Sequence, residues 1–153
     1  MSFLVNGITT AVPLVDSRLN GKIVIAATHP IPQEIRDWMT KVIWAIAEQL
    51  SYEEIKDIGL PINCIFSNND SYEIRIEFGE VAICTKNAFY PVRNLEEYAG
   101  NPFKLCTILA EELCHLIWEI SDEIEVNYKV YDVLLRIFPE LKIEQLYNQE
   151  YLK

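Results

Sequence analysis

The chain has 153 residues, 50 % of them apolar, with eight Tyr, six Phe and three Trp but only five Gly; this is the make-up of one globular domain with a sizeable core, and it excludes a disordered or repetitive chain. Thirteen Lys and Arg against 23 Asp and Glu give a net charge of −10. That balance repels nucleic-acid phosphates and anionic membrane surfaces, and leaves cations and basic or neutral peptides as better partners.

The amino terminus, MSFLVNGITTAVPLVDSR, lacks a basic start followed by a long apolar run, because Asn6, Gly7, Thr9 and Thr10 interrupt it. No window approaches the roughly 18 uninterrupted apolar residues of a membrane span, so a soluble, cytoplasmic protein is expected. A single domain over residues 1–153 is expected, its first 20 residues being either a strand of the sheet or an arm. Cys64, Cys84, Cys106 and Cys114 all lie in apolar segments with no CxxC pair. They read as small buried hydrophobes in a reducing compartment.

KIVIAATHP, Lys22 to Pro30, reads as a buried strand ended by proline. In IPQEIRDWMTKVIWAIAEQL, Ile35, Trp38, Met39, Val42, Ile43, Ile46 and Leu50 recur at three and four residues, which predicts a helix begun at Pro32 and lasting to about Leu50. After the linker SYEEIKDIGLP the period becomes two. PINCIF, Pro61 to Phe66, is a short strand, and SYEIRIEFGE alternates Tyr72, Ile74, Ile76 and Phe78 with Glu73, Arg75 and Glu77, as a strand with one wet face does. Gly79 permits a tight connection into VAICT, Val81 to Thr85, predicting a hairpin.

KNAFYPVRNLEEYAGNP reads as a loop into a second long helix, Phe103 to about Ile120. A further helix begins near Asp122, with Ile124, Tyr128, Tyr131, Leu134, Leu135 and Phe138 at helical spacing; Pro139 ends it and can open a last amphipathic helix to Tyr151. Strand, helix, three strands and three helices predict an α+β domain, with helices packed on one face of a small mixed sheet.

The chemistry concentrates in AEELCHLIW, Ala110 to Trp118. Helix residues four apart face the same way, so Glu111, His115 and Glu119 form one stripe, with Glu112 one turn below His115. A divalent ion can be gripped by a carboxylate and an imidazole one turn apart if a third ligand arrives from elsewhere. Glu112 would then take a proton from the attacking water. In EIEVNYKVYDVLL, Glu125 offers that third ligand, ten residues after His115, and Asp122 is the runner-up.

EELCH followed by EIEVNYKVYDVLL resembles the HELxH … ExEAN…FA…LL pattern of small gluzincin-type zinc peptidases, over roughly residues 105–135. The resemblance implies a minimal zincin-like fold, Glu112 as general base, and His115 and Glu125 as metal ligands, with Glu111 in the place of the first histidine. It also implies that the strand bordering the active helix, here VAICT, takes an extended peptide as an added strand. Two positions depart from the pattern: Glu111 replaces an imidazole, and Lys129 stands where an aromatic residue belongs, while Val126 for Ala is a mild change. A Glu-His-Glu set is harder and more anionic than His-His-Glu. It suits manganese, iron or magnesium relatively better and makes zinc a weaker Lewis acid.

Two functions follow as expectations. One is a metal-dependent peptidase-like protein holding zinc, manganese or iron on Glu111, His115 and Glu125; the other is a catalytically inactive, metal-free relative that binds or regulates a peptide or protein partner. A third, an interaction module, would use the acidic face and the carboxyl-terminal helix. His29 reads as a loop or cap residue. Cys114 reads as core packing, because it lies about 100° around the helix from His115. Trp38, Met39 and Trp44 read as core, with Trp44 at its rim, and the tail from Tyr147 to Tyr151 reads as an interface.

Overall fold

In the computed structural model, which describes residues 7–68 and 85–153, the first strand is β1, Ile23–Ala27. Ile23 and Ala27 point into the core and Val24 is exposed, so β1 is only partly buried. Helix α1, Gln33–Gln49, starts immediately after Pro32 and buries Ile35, Met39, Val42, Ile43 and Ile46 along the expected stripe. Trp38 stays at the edge of that stripe, where its ring packs on Phe138 at 5.5 Å. Trp44 is exposed.

The segment read as a linker contains α2, Tyr52–Asp57. Ser51 and Glu54 form a reciprocal cap, Glu54 N–H donating to Ser51 Oγ at 3.1 Å and Ser51 N–H to Glu54 Oε1 at 3.0 Å. That pair satisfies two backbone donors the first turn would otherwise leave open, so even six residues hold a helix. Strand β2, Ile62–Ser67, follows and is buried over most of its length.

The third described strand lies in the stretch read as a loop. Strand β3, Lys86–Pro91, buries Ala88 and Tyr90, an alternation masked in the sequence by its polar start and closing proline. The sheet order is β1-β2-β3, all parallel, with Ile23 opposite Ile62 and Cys64 opposite Ala88. The expected hairpin, 71–85, lies outside the described residues except for Thr85. Tyr90 ties the sheet to the helices: it stacks on Phe66 at 4.9 Å, and its hydroxyl donates to the Leu109 carbonyl at 2.8 Å.

A short helix, α3, Val92–Glu96, precedes α4, Pro102–Ile117. Asn101 caps α4 by accepting from Lys104 N–H, and Pro102 opens it. Its inner face, Leu105, Leu109, Ala110, Leu113 and Cys114, is fully buried. Helix α5, Glu123–Leu134, is capped by Asp122 accepting from Glu125 N–H at 2.8 Å and buries Val126, Val130, Val133 and Leu134. Helices α1, α4 and α5 pack on one another, and α4 also meets β3, which makes the chain an α+β domain. Among the described residues no helix is long and apolar enough to cross a membrane.

The last amphipathic helix is replaced by two 3-10 turns, Ile143–Gln145 and Gln149–Tyr151. Side chains of α5 claim the backbone of this tail: Tyr131 Oη donates to the Leu141 carbonyl at 3.0 Å, Asn127 Nδ2 to Tyr151 O at 2.9 Å and Tyr128 Oη to Leu152 O at 3.2 Å. Asn127 is a buried amide, so leaving it unpaired costs more than a short helix gains.

Candidate metal centre

Helix α4 places Glu111 and His115 on one face, one turn apart, as the sequence requires. The third residue of the expected stripe, Glu119, leaves it. Helix α4 ends at Ile117, and Glu119 follows in the left-handed region at φ +52°. The chain therefore turns back within three residues of the helix end, Ile120 N–H closing onto the His115 carbonyl at 3.2 Å. Glu119 points outward and pairs with Lys86 at 3.2 Å.

The same turn fixes the imidazole. His115 Nδ1 lies 2.6 Å from the Ile120 carbonyl oxygen; a carbonyl only accepts, so Nδ1 carries a proton, and in the neutral ring it is Nε2 that presents a lone pair. A ligating histidine held by a backbone carbonyl on its other nitrogen is the usual outer arrangement of a metal site.

Opposite Nε2 stands the first residue of α5. His115 Nε2 and Glu123 Oε1 are 3.5 Å apart, and ligand atoms of Glu111, His115 and Glu123 all lie within 4.8 Å of one another. A tetrahedral ion at about 2.1 Å from each donor would hold its ligands about 3.4 Å apart. The imidazole and Glu123 already have that separation. Glu123 is 71 % exposed in its side chain, so it is free to rotate and close the remaining gap to Glu111.

Glu111, like His115, is half-buried. Burial, then the charges of Glu123 and Glu112, push its carboxyl above the usual glutamate range, with His115 and Lys104 acting weakly the other way. Among the described residues neither Glu111 nor Glu123 forms an ion pair with a lysine or arginine. Two carboxylates and an imidazole gathered in this way are compatible with a divalent cation held among them.

The residues singled out from sequence divide accordingly. Glu111 and His115 come together; Glu125 is exposed and outside the group, and Asp122 spends its carboxylate on the α5 cap. The reason is the tight turn after His115, which starts α5 at Glu123. Residues two apart on a helix point about 200° away from each other, so with Glu123 facing α4, Glu125 faces away. Glu123 was the residue missed, and its signal was the short His115–Glu123 separation, which only a turn ending α4 before Ile120 could make.

Glu112 is exposed on the neighbouring face of α4 and lies outside the group of ligand atoms. Cys114 is fully buried, and burial pushes its thiol well above the ordinary range, which fits core packing and not nucleophilic chemistry. Cys64 and Cys106 are likewise buried, both pushed up to about 12. His29 sits in the loop after β1 with Nδ1 2.8 Å from the Pro30 carbonyl.

Two contacts brace the turn. Trp118 Nε1 donates to Glu54 Oε2 at 3.0 Å, and Lys129 lies over the Trp118 ring at 4.8 Å, so the lysine that departs from the peptidase pattern covers the end of α4. Comparison with family models, with curated proteins and with solved structures found no match.

Proposed function

We propose that this chain is a divalent-metal protein whose centre is Glu111, His115 and Glu123, and that it acts as a zincin-like, metal-dependent peptidase. The observation that carries the metal reading is the convergence of three ligand atoms within 4.8 Å, one of them an imidazole whose other nitrogen is anchored at 2.6 Å. The peptidase reading rests on the EELCH arrangement, in which Glu112 follows the first ligand and precedes the imidazole by one turn. The bound ion would polarise the scissile carbonyl. Glu112, solvated and next to the centre, takes the proton of the attacking water and delivers it to the leaving amine.

A second reading, a peptide-binding module that does not cut, is favoured by the donor set itself. Two carboxylates neutralise a divalent ion, so it polarises a carbonyl less than one held by two imidazoles. Manganese or iron fits these oxygen-rich donors relatively better than zinc does.

The test is metal content after separate incubation with zinc, manganese and iron, wild type beside His115→Ala. Near-stoichiometric metal in the wild type and none in the variant is expected. Equal metal in both proteins, or none in either, would sink the proposal. With metal established, a peptide library assayed against Glu112→Gln separates the two readings: hydrolysis lost with metal retained marks the peptidase, and peptide binding without cleavage in either protein marks the module.

A further inference from the structure

The turn that anchors His115 is itself held from two other elements, and both holds converge on Trp118. Helix α4 gives out at Ile117, Trp118 follows at φ −94° and ψ 3°, and Glu119 enters the left-handed region at φ +52°. A residue with a side chain keeps that conformation only where its surroundings over-determine it. On the far side of the turn, Ile120 is buried. On the near side, Trp118 Nε1–H donates to Glu54 Oε2 at 3.0 Å, and Lys129 Nζ lies 4.8 Å from the centre of the Trp118 ring. Glu54 is not a loose partner: its other oxygen, Oε1, accepts from Ser51 N–H at 3.0 Å, while its own N–H donates to Ser51 Oγ at 3.1 Å. Lys129 in turn belongs to α5, the helix that carries Glu123. Helix α2 buries none of its side chains fully, yet it delivers Glu54 to the end of α4. The ring of Trp118 thus joins α2, α4 and α5 one turn beyond His115.

We propose that Trp118 is a positioning residue of the Glu111–His115–Glu123 centre: pinned between Glu54 and Lys129, it holds the turn in which the Ile120 carbonyl receives the Nδ1 proton of His115, and so keeps Nε2 aimed at Glu123. The inference rests on the metal reading above. Trp118 acts through the backbone. Its N–H closes on the Cys114 carbonyl at 3.2 Å, Ile120 N–H closes on the His115 carbonyl at 3.2 Å, and the Ile120 carbonyl lies 2.6 Å from His115 Nδ1. A turn free to pivot about Trp118 would carry the acceptor of the imidazole with it. The Lys129 contact ties the same ring to α5, whose first residue, Glu123, lies 3.5 Å from His115 Nε2. A ligand whose support is loosened spends less time in the binding geometry, and affinity falls by that fraction.

The experiment compares wild type, Trp118→Leu, Trp118→Phe, Lys129→Met and His115→Ala by two readouts, with Tm recorded beside them. One is long-range proton–nitrogen spectra of the metal-free proteins above the pH of imidazole protonation; the other is manganese(II) titration followed by the paramagnetic resonance of the free ion. Expected in Trp118→Leu is a His115 ring that no longer keeps to one tautomer, and manganese bound about threefold to thirtyfold more weakly. Lys129→Met, which loses the cation but keeps the stem, moves both readouts the same way by less, and Trp118→Phe, which keeps a ring under Lys129, recovers part of the loss. An unchanged tautomer and unchanged manganese affinity in Trp118→Leu overturn the proposal whatever happens to Tm, because the clamp would then serve only the fold; the metal centre would stand. Should Trp118→Leu not fold, Lys129→Met carries the decision, and wild-type tautomer and affinity in that variant overturn the proposal. Equal manganese binding by wild type and His115→Ala, or none by either, removes the metal reading and this inference with it.

Discussion

His115 and Ile120 are bonded to each other in both directions: the backbone N–H of Ile120 closes on the His115 carbonyl at 3.2 Å, and the Ile120 carbonyl takes the Nδ1 proton of His115 at 2.6 Å. The turn that ends α4 therefore also sets the tautomer of the imidazole. Long-range proton–nitrogen correlation spectra of the metal-free protein above the pH of imidazole protonation should show His115 with Nδ1 protonated and Nε2 bare. A zinc or manganese titration should perturb or broaden Nε2 first. An Nε2-protonated ring would remove the lone pair from the centre.

The two glutamates at the start of α5 are predicted to differ. Glu123→Gln removes a carboxylate 3.5 Å from the imidazole, the proposed third ligand, and should weaken metal binding by tenfold or more, on the order of the 1.4 kcal/mol that one decade represents. Glu125→Gln, on the far face, should change affinity by less than about twofold. Calorimetric titration of both variants decides between them, and the reverse result would restore Glu125 as the ligand implied by the peptidase pattern.

That contrast shows what was legible in the sequence. Helix α1, β2 and the body of α4 rest on periodicity, and Ile35, Met39, Val42 and Ile46 are buried as their spacing requires. Glu111 and His115 were legible for the same reason, since a one-turn relation inside a helix is local. Glu123 was not, because it depends on where α4 stops, and α4 stops at a left-handed glutamate where a glycine would have announced the turn. β3 was hidden by Lys86, Asn87 and Pro91 at its ends. The tail was misread as helix because its backbone acceptors are claimed by Asn127 and Tyr131 on α5, a tertiary effect that no local pattern records.

Glu111 gives a pH dependence whose sign is fixed by its raised carboxyl. The folded protein holds this proton more tightly than the unfolded chain, so stability from Glu111 is present below the unfolded value, about 4.3, and is lost as pH rises through the higher folded one. In the metal-free state Glu111→Gln should thus be more stable than wild type near neutrality, and the advantage should vanish toward pH 4. Metal reverses the comparison, because an ion displaces the proton and needs the carboxylate. Tm against pH for both proteins, with chelator and with manganese, tests this; a variant advantage that grows as pH falls contradicts it.

Glu119 offers the last test, at a position where backbone strain and ion pairing oppose each other. Its φ of +52° costs a side-chain-bearing residue about 1–2 kcal/mol relative to the right-handed region, whereas glycine adopts that region freely. Against this, Glu119→Gly loses the exposed Lys86 pair at 3.2 Å, which contributes about 0–1 kcal/mol, and gives the unfolded chain about 0.5–1 kcal/mol more entropy. The strain is the largest of the three, so a small net gain is expected, on the order of 0.5 kcal/mol, or a Tm raised by about 1–2 °C in a domain of this size. Glu119→Val, β-branched and without the pair, should lower Tm by several degrees. Because the turn and the His115–Ile120 bonds survive in the glycine variant, its metal affinity should stay within about twofold of wild type. A glycine variant that unfolds earlier than wild type would mean that the Lys86 pair, and not the left-handed turn, governs how α4 hands over to α5.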